Sequence, residues 1–123
     1  VPLGVSIRNI YSELLNKGII ALVADQRGPE DSIKLEFFGR KTSVYTGPAI
    51  LALKMNSPLI YGISVRQPDF SYKVEIIEIS KSNLPDDFEE KVKVLSERML
   101  NYLEKIIREN PDQWFWMHKR WKH

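Results

Sequence analysis

Phe88, Val92, Leu95, Met99, Tyr102 and Ile106 recur every three or four residues, and no other stretch of the chain limits its fold as strongly. That spacing puts all six on one face of a single long helix. Asp86, Asp87, Glu89 and Glu90 stand at its positive end, and it must stop before Pro111. Such a helix needs a broad apolar surface to lie against. The rest of the chain has to supply one.

The preceding segments read as alternating helices and strands. Ile7, Ile10, Tyr11 and Leu14 fall at helical spacing, with Gly18 as a stop after Lys17, which predicts a first helix over about residues 5 to 17. "IIALVA" (Ile19 to Ala24) then reads as a strand apolar on both faces, as in the middle of a sheet covered on both sides. From Asp25 to Tyr45, polarity and the glycines Gly28 and Gly39 predict a long loop interrupted by the apolar "LEFFG". "TGPAILALKMN" supplies a capping Thr46, a proline in the first turn and a short buried helix to Met55. Pro58 to Arg66 and Tyr72 to Ile79 are strand-like and joined by a Pro-Asp turn, so they should form an antiparallel hairpin. The order strand, helix, strand implies a right-handed parallel crossover before it. The expected class is α/β, a layered sheet of at least three strands with flanking helices.

Composition sets the outer bounds. The 123 residues, 43% hydrophobic, suit a single domain over residues 1–123. Eighteen basic against 16 acidic residues leave a mixed surface, which implies no general polyanion partner. The absence of cysteine excludes a disulfide scaffold and any thiolate metal site. The run Ile19 to Ala24 is far short of the roughly 20 residues of a membrane-spanning helix.

Polar residues at strand ends are the candidates for a site, because a rigid sheet edge holds them in place. Asp25, Gln26 and Arg27 follow the first strand and Arg66 ends the second. If those strands ran parallel, the four would share one rim and could orient a polar substrate or grip a phosphate. A solvated salt bridge in a loop is the plainer reading. Gly39, Arg40, Lys41 and Thr42 precede a helix amino end, where free N–H groups attract anions, although the order of a P-loop is absent. Phe37 and Phe38 fit the core more readily than a lipid chain.

The carboxyl-terminal "NPDQWFWMHKRWKH" gathers all three tryptophans and both histidines. If helical, it would align Trp114, Met117, His118 and Trp121 on one face, with Lys119 and Lys122 pointing away. That face should pack onto the domain, although Trp114, Trp116, His118, Arg120 and Trp121 also suit a membrane interface. A metal is not expected, since His118 and His123 are five apart and no cysteine completes a set. Nucleic acid is disfavoured because basic residues elsewhere alternate with acids.

"ALVADQRGP", "FFGRKTSVYTGPAILALKMNSPLIYGISVR" and the terminal "NPDQWFWMHKRWK" together resemble the C-terminal half of the lipid A biosynthesis lauroyl/myristoyl acyltransferases, within the lysophospholipid acyltransferase superfamily. The resemblance runs from about residue 5 to the end. It implies an enzyme at the cytoplasmic face of the bacterial inner membrane that moves a fatty acyl group from an acyl carrier protein thioester to a hydroxyl of a lipid A precursor. No cofactor is implied. Members carry a His-x-x-x-x-Asp/Glu motif whose imidazole acts as general base. Neither His118 nor His123 has a carboxylate five positions later, so no catalytic residue is assigned in this chain. It reads instead as the C-terminal fragment of a larger acyltransferase domain, with Asp25, Gln26, Arg40, Lys41 and Arg66 on the substrate side. Self-association through an exposed sheet edge is expected of such a piece. The alternative is a non-catalytic module whose tail docks to anionic membrane or to a protein partner.

Overall fold

A computed structural model describes residues 3–122 of the chain. The class is α/β. Three helices, α1 (Leu3–Leu15), α2 (Gly47–Lys54) and α3 (Phe88–Glu109), accompany two antiparallel pairs, β1 (Lys34–Phe37) with β2 (Arg40–Ser43) and β3 (Ile60–Arg66) with β4 (Tyr72–Glu78). A single 3-10 turn, Pro111–Gln113, follows α3.

The long helix forms as its spacing predicts. Asp87 caps it by accepting a 3.0 Å hydrogen bond from the Glu90 N–H, and Glu89 and Glu90 occupy the first turn. Its apolar face divides between two clusters. Val92 and Leu95 pack with Ala49 and Ala52 of α2 and with Ile79, while Leu100, Leu103 and Ile107 pack with Leu35, Phe37 and Val44 of the first hairpin region. α3 is therefore the common wall of the core. Tyr61 touches both clusters.

The second hairpin pairs in the expected register, Ile60 opposite Glu78 through Arg66 opposite Tyr72. Period-two alternation turns Tyr61, Ile63 and Ile77 toward α3 and leaves Ile60, Tyr72, Val74 and Ile76 exposed on the other face. α2 starts at Gly47 with proline in its first turn, but the Thr46 side chain makes no capping bond.

Three sequence expectations need correction. Ile19 to Ala24 is not a strand: no described strand pairs with it, so the doubly covered sheet and its parallel crossover do not form, and Ile19 and Val23 are more than nine-tenths exposed. An apolar run becomes a central strand only where neighbours offer hydrogen bonds on both edges. The four strands make two separate two-stranded sheets rather than one layer of three or more.

Second, the region read as a long loop contains the β1–β2 hairpin. Its two-residue turn places Phe38 (φ 52°) and Gly39 (φ 73°) both in the left-handed region, the backbone of a primed turn. An aromatic residue is unusual there. The Phe38 N–H donates to Glu104 Oε2 of α3 at 3.0 Å and its ring is held by Phe37, Trp116 and Arg108, which together fix the turn.

Third, the tail beyond Pro111 is not helical. After the 3-10 turn it runs through successive turns, so the anticipated four-residue stripe does not exist and Met117 is 85% exposed. Trp114 and Trp121 nevertheless pack inward, on the ring of Phe37. His123 lies outside the described residues.

Candidate functional site: an apolar groove beside a buried arginine

The buried polar centre of the molecule starts at the tail. Arg120 is only 2% exposed. Its Nη1 donates to the Ser43 carbonyl at 2.8 Å and to Thr42 Oγ1 at 3.0 Å, while the Thr42 hydroxyl donates to the Arg120 carbonyl. The guanidinium lies 5.3 Å over the ring of Phe37. Burying a charge is costly unless it is paired, and here β2 supplies the acceptors. Trp121 adds a 3.1 Å bond from its indole N–H to the Phe37 carbonyl and stacks on that ring at 5.6 Å.

The same strand end fixes the Asp25 loop. The Gly28 N–H donates to the Ser43 carbonyl at 2.9 Å, and a Cβ at Gly28 would sit 2.4 Å from the backbone of Val44. No side chain fits there. Gly28 thus lets the Asp25–Arg27 segment close on β2, and Asp25 comes near enough to Arg120 and Tyr61 to act on both. Burial first, and then the Asp25 charge, push the Tyr61 hydroxyl up to about 12. Burial lowers the Arg120 pKa, opposed by Asp25 and Tyr61. Asp25 Oδ1 and Arg27 Nη1 are shielded from solvent without a hydrogen-bonding partner in the protein. Two opposite charges with unused valence at one loop are what a polar ligand group would use.

Beside this centre lies a groove of about 1050 Å³. Leu51, Tyr61, Ile63, Met99, Leu103 and Trp114 are among its walls, Ile19 to Ala24 border it except for Ala21, and Asp25 contributes a carboxylate. It is large even against the roughly 300–1,000 Å³ of typical ligand pockets, and mostly apolar like them. Gln26, Arg27, Arg40, Lys41 and Arg66 do not line it.

The candidates drawn from sequence are therefore dispersed. Asp25 and Arg27 are half-buried, and Gln26 is exposed. Arg40 and Lys41 belong to strand β2 rather than to the approach to α2, so they do not converge on its amino end; Arg40 instead lies 5.6 Å over Trp121. Arg66 ends β3, where the Gln113 side chain brackets its backbone, accepting from the Arg66 N–H at 2.8 Å and donating to its carbonyl at 3.0 Å. The shared rim fails with the missing strand. Tyr61 and Gln113 were not singled out by sequence, while Thr42 was named only as part of the approach to α2 and Gly28 only as a loop glycine.

A search of curated proteins finds no match to this chain. The sequence model of one family, described as bacterial lipid A biosynthesis acyltransferase, matches residues 1–123. That span covers the groove, the buried arginine and the tail together, and the chain belongs to the bacterial lipid A biosynthesis acyltransferase family.

Proposed function

We propose that this chain is the lipid-binding part of an enzyme that moves a fatty acyl group from an acyl carrier protein thioester to a hydroxyl of a lipid A precursor, at the cytoplasmic face of the inner membrane. The observation that carries the reading is the large apolar groove with one carboxylate at its border, in a chain whose whole length matches the family. Hydrocarbon occupies the groove because its walls gain by losing water. Asp25 orients a polar group of the acceptor, and Gln26, Arg40, Lys41 and Arg66 meet polar or phosphorylated parts farther out. Arg120 holds the Asp25 loop in place through β2.

The chain supplies no general base. His118 is its one histidine among the described residues, and no carboxylate stands five positions after it. In this reading the base comes from a His-x-x-x-x-Asp/Glu motif that is not among these residues. Unmatched apolar surface beside the groove also supports self-association of the chain when alone.

Acyl transfer from acyl carrier protein to a lipid A precursor tests this. The chain alone should give no turnover above a no-protein control. In an enzyme carrying both this chain and the motif, Asp25→Asn should lower kcat/KM by about tenfold or more, since a charge-assisted contact contributes on the order of 1.5–3 kcal/mol. Unchanged kinetics would remove Asp25 from the substrate site.

A further inference from the structure

The tail has two faces. Trp114, His118, Arg120 and Trp121 are wholly or partly buried, whereas Phe115, Trp116 and Met117 are 68%, 47% and 85% exposed. Three consecutive large apolar residues held in water are unusual unless they meet something.

Nor is this segment a loose end. The Trp116 indole N–H donates to the Pro111 carbonyl at 2.6 Å, its backbone N–H to Trp114, and the His118 N–H to Phe115. The Trp116 ring meets Phe38 edge-on at 5.6 Å. Anchored on both sides by Trp114 and Trp121, the exposed trio is presented as a fixed turn, which removes most of the ordering cost of binding.

Its surroundings are cationic. Lys119 and Lys122 follow the trio in the chain and are exposed, Arg108 lies 4.6 Å over Phe38, and Arg40 lies over Trp121. Acidic neighbours are Asp112 and Glu104, and the latter is bound to Arg108. The exposed face of β3–β4 offers more apolar area through Ile60, Tyr72, Val74 and Ile76, yet it carries only one cation, Arg66, and one anion, Glu78, at its opposite ends, and no tryptophan. Only the tail combines an indole, apolar side chains and a cationic fringe. Interfacial residues of that kind sit at the headgroup level of a bilayer, with lysines reaching anionic phosphates.

We propose that Phe115, Trp116 and Met117, fringed by Lys119 and Lys122, form a docking surface for an anionic lipid bilayer. The surface holds the apolar groove against the membrane from which its substrate comes. This rests on the lipid-acyltransferase reading for its purpose but not for its binding chemistry.

Co-sedimentation of the full chain with vesicles tests it. Vesicles containing phosphatidylglycerol should capture the chain, and pure phosphatidylcholine vesicles should capture it at least about tenfold less. Phe115→Asp with Met117→Asp, and separately Lys119→Glu with Lys122→Glu, should each lower capture by about tenfold or more while leaving the melting temperature unchanged. Val74→Asp with Ile76→Asp on the sheet face should leave capture intact. Equal capture by both vesicle types, or loss through the sheet variant with the tail variants bound as before, overturns the proposal. In an enzyme carrying both this chain and the motif, acyl transfer to detergent-dispersed acceptor should persist in both tail variants, so failure of the enzymatic reading and failure of the docking surface register in different assays.

Discussion

Ile19 and Val23 belong to the longest apolar run of the chain and stand almost fully in water, whereas Thr42, Ser43 and Arg120 are polar and almost fully buried. Hydropathy alone orders these two regions the wrong way round. What separates them is the availability of complementary surface. Arg120 finds two acceptors and an aromatic face already placed by the β1–β2 hairpin, while the Ile19–Ala24 run finds no strand to pair with among the described residues. Burial is thus a property of pairs of surfaces, and an apolar segment without its partner becomes the border of a groove.

The sharpest way to break that contrast is to truncate one residue in each region. Phe37→Ala removes a fully buried ring on which Phe38, Trp114, Trp121 and Arg120 converge, and should cost about 3–5 kcal/mol. Val23→Ala should stay within about 0.5 kcal/mol. Urea unfolding measures both, and comparable losses would mean that the exposed run carries stability after all.

A smaller effect probes the polar side. Arg120→Met keeps bulk but removes the donor to Thr42 Oγ1 and to the Ser43 carbonyl and leaves Asp25 without its nearby positive charge, which should cost about 3 kcal/mol. If the melting temperature instead rises, the buried cation is retained for something other than stability.

The least effect concerns the edge between core and water. Burial alone would raise the Glu104 pKa, but the Phe38 N–H and the Arg108 guanidinium outweigh it and hold the carboxyl below its ordinary 4.5. A lowered folded-state pKa gives stability that is present above 4.5 and fades as pH falls through the lowered value. The difference between the wild-type chain and Glu104→Gln should be about 0.2–1 kcal/mol at neutral pH and shrink below pH 4.5. A constant difference across that range would show that the carboxylate charge is not what secures the turn.

How far the sequence could be read follows the same division. α3, α2 and the β3–β4 hairpin were legible because their patterns are local: a 3.6-residue stripe, a proline in a first turn, two alternating runs around Pro-Asp. The β1–β2 hairpin was hidden because its turn uses Phe38 at positive φ, stabilised from α3 by Glu104 rather than by turn chemistry in the segment itself. The tail's inward packing was anticipated for Trp114 and Trp121, but the helical spacing assumed for it assigned Met117 to the wrong side. Of the site residues, Asp25 could be picked out as a carboxylate after an apolar run. The burial of Arg120 could not, since its acceptors lie on β2, far away in sequence.

That distance also governs the order in which the molecule can be made. The bond between Thr42 and Arg120 spans 78 residues, and the one between Phe37 and Trp121 spans 84. At roughly 5–20 residues per second on the ribosome, the first hairpin waits for seconds before its lid is even synthesised. Meanwhile β3–β4 can pair, since its strands are neighbours in the chain, and α3 follows. α3 gives Phe37 its first cover, but the ring and the polar end of β2 lack Trp114, Arg120 and Trp121 until the tail arrives. The tail works as a closing stitch, and a nascent chain stalled before it would leave the Phe37 ring and the acceptors of β2 without the groups that seal them.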